Sequence, residues 1–294
     1  MFRTFALLLA LLLMLCSPLQ LAAQMPAPPA NRQSAVGIIP AEGPRLAGFA
    51  EGPWAGVNAV YQCPRFVATL GTNLVLAIQP IQDGTNIGRA VELRFGASYN
   101  DPRRAHLRHP MVARRVVSLK MPPPPTLRAS KIRIEGQLED NVDFDYQIAF
   151  AGNTATLQCK FKDPKNQAYP TSFAVSATVA RSPVPATILK LEELEQLMPG
   201  WTLDLVLSDG KKLHSPYHRS IGLEAGTLGA REMTSFGPWG KRQVIVSSVG
   251  EDKKGARNSY FRHYPGYAPF NGYNLYWHLR NGDTKARGFT VEVQ

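Results

Sequence analysis

Residues 131–161 read KIRIEGQLEDNVDFDYQIAFAGNTATLQCKF. Apolar and polar side chains alternate here, most clearly in Lys131-Ile132-Arg133-Ile134 and in Leu157-Gln158-Cys159-Lys160-Phe161. Successive side chains of a strand point to opposite faces, so a period of two marks a sheet with one buried face. Gly152-Asn153, set between two such runs, is a hairpin signal, because a tight turn needs residues that tolerate positive φ. The stretch therefore reads as consecutive antiparallel strands.

Working outward, similar short segments cover residues 66–70, 73–79, 90–95, 112–120 and 172–179. Together they predict an antiparallel β-sandwich over residues 54–181. No Trp lies between Cys63 and Cys159, so a true immunoglobulin domain is not indicated. Ser182-Pro183-Val184-Pro185 breaks the pattern, and Ile188, Leu191, Leu194 and Leu197 then recur at helical spacing up to Pro199-Gly200. This predicts a helix over about residues 186–198. Beyond it, segments 202–207, 211–214, 243–249, 274–279 and 288–293, with turn signals at Asp209-Gly210 and Asn281-Gly282, predict a second β-rich domain over residues 182–294. The expected fold class is mainly β: two antiparallel sandwich-like domains with one short helix between them. The alternative is one large sandwich carrying an inserted helix.

Composition agrees with a β-rich protein. The 294 residues are 44% hydrophobic, enough for a core, yet only 19% charged, with 24 Gly and 24 Pro. That balance disfavours both disorder and a helical bundle. The chain opens with one Arg and an apolar run over residues 5–15, followed by Leu21-Ala22-Ala23. This is the pattern of a cleavable signal peptide over residues 1–23, and the run is too short to span a bilayer. Leu15 stands before Cys16 where a lipoprotein signal would carry a small residue. Residues 24–53, rich in Pro and Ala, read as a linker. The expectation is a periplasmic or secreted protein with no transmembrane segment after cleavage. In an oxidising compartment the two remaining thiols, Cys63 and Cys159, are expected to form a disulfide.

Two local features stand out. Within residues 260–277 lie eight aromatic residues, six of them three apart: Phe261, Tyr264, Tyr267, Phe270, Tyr273 and Tyr276. With Pro265, Gly266, Pro269 and Gly272 between them, this predicts an extended, polyproline-like segment with one edge lined by rings. Rings cover the apolar faces of sugars while polar side chains take the hydroxyls. The expected ligand surface is Trp239, Arg262, His263, Tyr264, Tyr267, Phe270 and Tyr273. Three stacked rings at about 1–1.5 kcal/mol each give an affinity near millimolar, suited to an avid module. The competing reading places the rings in a core.

The second feature is charge segregation. Residues 102–134 carry nine Lys and Arg and no acid, and Glu135, Glu139, Asp140, Asp143 and Asp145 follow within eleven positions. A net charge of +11 favours anionic partners such as acidic glycans or envelope components, and an exported protein seldom meets nucleic acid. Cross-strand pairing of opposite charges is the structural alternative. Glu139, Asp140, Asp143 and Asp145 also supply the hard oxygens of a calcium site or the carboxylates of a secreted glycan hydrolase. Ser208-Asp209-Gly210-Lys211 matches a Ser-x-x-Lys motif in letters, but Asp-Gly between strands is a turn. No phosphate loop, dinucleotide fingerprint or metal-ligand spacing occurs, so no cofactor is expected. The reading is an exported, non-catalytic binding or envelope-associated module recognising polysaccharide through an aromatic loop. Its alternatives are a glycan-active hydrolase and an assembly subunit binding another protein.

Overall fold

A computed structural model describes residues 43–104, 111–164, 171–179, 190–207, 209–219, 221, 230–249, 259–264, 272–277 and 287–294. The first half contributes β1 (Val57–Gln62), β2 (Phe66–Gly71), β3 (Val75–Gln82), β4 (Thr85–Asn86), β5 (Val91–Asn100), β6 (Met111–Ala113), β7 (Val116–Lys120), β8 (Thr126–Leu127), β9 (Lys131–Leu138), β10 (Val142–Ala151), β11 (Thr154–Lys162) and β12 (Thr171–Val179). After helix α1 (Leu191–Leu197) come β13 (Thr202–Leu207), β14 (Lys212–Pro216), β15 (Ala230–Gly237), β16 (Gly240–Val249), β17 (Ser259–Tyr264), β18 (Gly272–Trp277) and β19 (Arg287–Val293). The protein is mainly β, as its alternation predicts.

The strands form two sheets. A ten-stranded sheet runs β17-β18-β12-β5-β3-β2-β1-β8, with β4 beside β3 and β6 beside β5. A nine-stranded sheet runs β14-β13-β15-β16-β19-β11-β10-β9-β7. Strand pairings are antiparallel except the short parallel contact of β1 with β8. The residues of the two sheets that face inward share one core. Leu76, Ile78, Leu93 and Phe173 come from the first sheet, and Ile134, Tyr146, Leu157 and Phe289 from the second. Rings join the layers: Phe95 lies 5.2 Å from Phe144 and 4.9 Å from Tyr146, and Phe173 lies 6.1 Å from Phe289. Tyr61 stacks on Phe150 at 4.6 Å, and its hydroxyl donates to the Gly152 carbonyl at 2.8 Å. Such pairs add about 0.5–1.5 kcal/mol each beyond burial.

The expected division near residues 181–186 does not coincide with a division between sheets. β19 pairs with β11 on one side and β16 on the other, so segments before and after that point build one nine-stranded sheet. The ten-stranded sheet likewise joins β12 to β18. Both sheets take strands from either side of that point, whether the chain counts as two domains or one. Local pattern could not distinguish the two, because the joining strand lies more than a hundred residues from its neighbour β11.

Residues 43–53, expected as linker, run against β1. The Leu46 amide donates to Thr72 O at 2.9 Å, and the Leu46 side chain is buried in the main core. Trp54 and Phe49 cap a second apolar cluster with Val57, Val60, Val67 and Ile81 on the other side of the sheet. β1 is therefore covered on both faces, and Val57, Asn58, Ala59 and Val60 are all buried. Buried Asn58 sits at a bulge in the β1–β2 register. Its amide donates to Ala47 O at 2.8 Å and to Pro123 O at 2.9 Å, tying two irregular segments to one strand.

The predicted helix is present as α1, shorter than its apolar spacing suggests; residues 186–189 lie outside the described residues. Glu193 accepts the Lys190 amide at 2.7 Å to close its first turn, and Gly200, at φ +71°, follows its end. Only Leu194 and Met198, four apart, are buried, while Leu191 is 44% and Leu197 38% exposed. A helix of two turns presents one such pair to the core and leaves the rest of the stripe outside.

The expected Cys63–Cys159 disulfide is corrected: both cysteines are free. The Cys159 thiol, buried in β11, donates to Lys160 O, and the Cys63 thiol, just after β1, donates to Phe66 O. Counting two thiols says nothing about their placement, and a bridge needs Cα atoms within about 4.4–6.8 Å and matched Cβ directions. Each sulfur instead meets a carbonyl close to it in sequence.

Candidate functional site

The aromatic stretch folds as an antiparallel strand pair rather than a polyproline-like segment. β17 and β18 pair without a bulge from Ser259↔Trp277 through Phe261↔Leu275, Arg262↔Asn274 and His263↔Tyr273 to Tyr264↔Gly272. β18 then pairs with β12, with Leu275 opposite Val175 and Tyr276 opposite Ala174. The hairpin thus closes one end of the ten-stranded sheet, with β17 as its edge. Tyr, Phe and Trp have high strand propensity, which competes with the extended helix read from the prolines and glycines between them. Tyr267 and Phe270 lie outside the described residues. Of the expected ligand set, Arg262, His263, Tyr264 and Tyr273 fall in this strand pair. Asn274 and Tyr260 join the same register; a period of two, rather than three, would have found them.

Trp239, expected on the ligand surface, is instead fully buried. It sits in the turn between β15 and β16, and its indole N–H donates to Arg89 O at 2.6 Å. That bond ties the nine-stranded sheet to the loop before β5 of the ten-stranded one. Gly88, at φ +57°, makes the approach possible: a Cβ there would lie 2.0 Å from Pro238 O and 2.9 Å from the Trp239 ring. Buried indoles generally require such a partner for their N–H. Trp239 is a clamp between layers and presents no ring to a ligand.

The charge-segregated stretch resolves into pairs because β9 lies between β7 and β10. Lys120 faces Glu135, which faces Asp145, which faces Lys160 across four strands. Arg133 bridges Glu135 at 2.9 Å and Asp145 at 3.0 Å, and Lys120 holds Asp143 at 2.9 Å. Arg114, its side chain almost wholly buried, pairs with Asp140 and lies 4.2 Å above the Tyr99 ring. Glu139 accepts the Arg115 amide at 3.1 Å. Each carboxylate considered for a calcium site or a hydrolase is thus held by a cation or a backbone N–H. Burial opposes ionisation of Asp145, but hydrogen bonds from Arg133 and Gln147 and the charges of Arg133 and Lys160 outweigh it, holding its carboxyl below the usual range. A carboxyl so held does not store a proton at neutral pH, which a general acid must do.

Among the histidines, His106 and His109 lie outside the described residues. His214, on the edge strand β14, meets Asp204 of β13 at 2.5 Å, and His218 is buried. Asp209-Gly210 forms the predicted turn between β13 and β14. Lys211 holds the Asp209 carboxyl below its ordinary range, through its side chain first and its amide second. Ser208 lies outside the described residues.

No protein-family model matches the sequence, and no curated protein matches it. Among solved structures, the chain is similar to the Slr1438 protein from Synechocystis sp. PCC 6803. The likeness covers 87% of this chain and 99% of that one, at 8% identity and a TM-score of 0.42. Among the described residues, no helix is long and apolar enough to cross a membrane.

Proposed function

We propose that the protein is an exported, non-catalytic binding module that takes polysaccharide on the β17–β18 hairpin. One observation carries this reading. The register places Tyr260, Arg262 and Tyr264 of β17 with Asn274 and Tyr276 of β18 on one face at the end of a sheet, and Phe261, His263, Tyr273 and Trp277 on the other face, the one shared with buried Val175. Paired strands stand about 4.8 Å apart, so rings and hydrogen-bonding groups recur at a spacing comparable to a sugar ring. Arg262, on the first of these faces, extends the preference toward acidic glycans, in keeping with the net positive charge. The signal pattern of residues 1–23 supplies the route to a periplasmic or extracellular glycan.

The test is retention of the purified protein on a panel of neutral and acidic polysaccharides at low and high salt, with Tyr264→Ala, on the face opposite to Val175, beside it. Retention that survives high salt and falls about tenfold in Tyr264→Ala, at unchanged melting temperature, supports the hairpin. Retention on acidic glycans alone, abolished by salt, assigns the binding to charge. A Tyr264→Ala protein that melts early with no retention in the parent places the ring in the fold and ends the proposal.

A further inference from the structure

Residues 121–128, Met-Pro-Pro-Pro-Pro-Thr-Leu-Arg, carry the chain from β7, at one end of the nine-stranded sheet, to β8, at one end of the ten-stranded sheet. Neither helix nor strand covers residues 122–125. Each proline ring fixes its own φ at about −65°, and Pro122, Pro123 and Pro124 are each held extended by the proline that follows. The run is a preformed polyproline segment. It is anchored along β1: buried Asn58 donates to Pro123 O at 2.9 Å, Ala59 and Val60 pair with Thr126 and Leu127, and the Ala129 amide donates to Val60 O at 2.9 Å. Met121, at φ +42°, and Arg128, at φ +64°, turn the chain into and out of the segment in a conformation uncommon for residues other than glycine. Its outer side is apolar and open. Pro122 and Pro124 are exposed, while Pro123 and Pro125 are half-buried. Of the five large apolar side chains exposed among the described residues, Val117 (56%), Met121 (87%) and Leu127 (43%) belong to this short stretch.

We infer that residues 121–128 are the docking segment for a partner protein that reads polyproline through a groove lined by aromatic rings, with carboxylates on its rim. The chemistry of the segment selects this occupant. Four consecutive residues without an N–H cannot extend a ladder, so a partner strand does not add here. Pyrrolidine rings and a flexible thioether offer apolar edges that fit between flat rings, which is how polyproline segments are recognised. The anchorage to Asn58 and Val60 and the fixed proline dihedrals hold the segment in the conformation to be bound, so little ordering is lost on docking. Charge sets the rim. Exposed Arg115, Lys120, Arg128 and Lys131 flank the prolines, Lys120 also holding Asp143, and residues 102–134 contain no acid. A groove bordered by carboxylates is complementary to that surround, and one bordered by cations is excluded by it. The inference concerns the other end of the ten-stranded sheet and stands independently of what the β17–β18 hairpin binds.

The experiment is calorimetric titration of the purified full chain with a WW-type domain chosen for carboxylates at the rim of its aromatic groove, beside the same domain with its groove rings removed. The parent is expected to bind the first and not the second. Pro124→Ala removes an exposed ring and should weaken binding about tenfold at unchanged melting temperature. Met121→Gly separates docking from folding most sharply. Glycine adopts positive φ freely, so this variant should melt no earlier than the parent, yet it lacks the exposed side chain and should bind more weakly. Arg128→Glu should weaken binding at low salt and approach the parent at high salt. A parent that does not bind the intact domain overturns the inference, as does equal binding to the domain without its rings. A Pro124→Ala protein that melts early and binds like the parent assigns the prolines to stiffening the connection between the sheets and overturns it as well.

Discussion

The block β9–β10–β11 and the hairpin β17–β18 are the two compositionally unusual parts of the chain, and the fold treats them differently. In the first, an excess of cations and a cluster of acids lie on adjacent strands and neutralise one another. Beneath them, Phe144, Tyr146 and Ile148 alternate into a core shared by both sheets. Its local bias is consumed by its own neighbours. The hairpin sits at the far end of the other sheet, its two strands paired with each other and, through β18, with β12. A biased segment that finds its complement on adjacent strands is explained by the fold; the hairpin instead gathers rings on both of its strands.

That contrast breaks most visibly at Trp239, which sequence reasoning grouped with the hairpin rings. Trp239→Ala should lose on the order of 3–5 kcal/mol, because a fully buried ring and the clamp to Arg89 O vanish together. Denaturant unfolding measures this directly. A variant that keeps its stability and loses only ligand retention would return Trp239 to the binding surface.

A smaller effect of opposite sign is expected within the block. The Tyr146 hydroxyl is buried without a hydrogen-bond partner among the described residues, so Tyr146→Phe should leave stability unchanged or raise it by up to about 1 kcal/mol. Burial pushes both the Tyr146 phenol and the Cys159 thiol upward, with the Cys159 sulfur adding to the rise of the phenol and the Asp145 charge to that of the thiol. Groups raised in the folded state contribute stability that is complete below their unfolded values, about 8.5 for Cys and 10 for Tyr, and lost as pH rises beyond them. Alkaline unfolding should therefore be steep in the parent and shallower in Tyr146→Phe, read from melting temperatures between neutral pH and pH of about 11.

The smallest effect belongs to the charge pairs themselves. Arg133→Ala removes an exposed cation shared by two carboxylates and should lower the melting temperature by about 2 °C or less at neutral pH and low salt. Asp145 is held below its ordinary range, so its contribution is present above the unfolded carboxylate value and lost as pH falls through the folded one. The gap between parent and variant should close in acid, and also in high salt. A large gap that persists in both would mean that the block depends on Arg133 for packing and not for charge.

Much of the fold was legible from alternation. β9, β10 and β11 bury every second residue, and the Gly152-Asn153 turn lies where predicted. β1 escaped notice because both of its faces are covered, which erases the period of two. The association of β19 with β11 has no local signature, since pairing across such a separation is a property of the whole chain. Of the site, the unusual density of rings was visible, but its geometry was misread. A three-residue spacing in letters says nothing once the backbone adopts strand, where positions two apart share a face. Trp239 failed for the opposite reason: an aromatic beside Gly and Pro looks like loop material, and only the partner loop at Gly88 and Arg89 shows it to be core.

The position of β19 also bears on how the protein is made. It is the last strand in chain order, yet it lies in the interior of the nine-stranded sheet, with β11 and β16 as its neighbours. Without it, that sheet separates into a β7–β9–β10–β11 part and a β13–β16 part with no strand between them. A nascent chain emerging from the ribosome therefore lacks the joining piece until residues 287–293 are available, and earlier strands must wait with their edges open. Long-range closures of this kind are slow, and unsatisfied strands held during the wait invite association with other chains. Closure of the nine-stranded sheet therefore follows the synthesis of residues 287–293, however early the strands on either side are made.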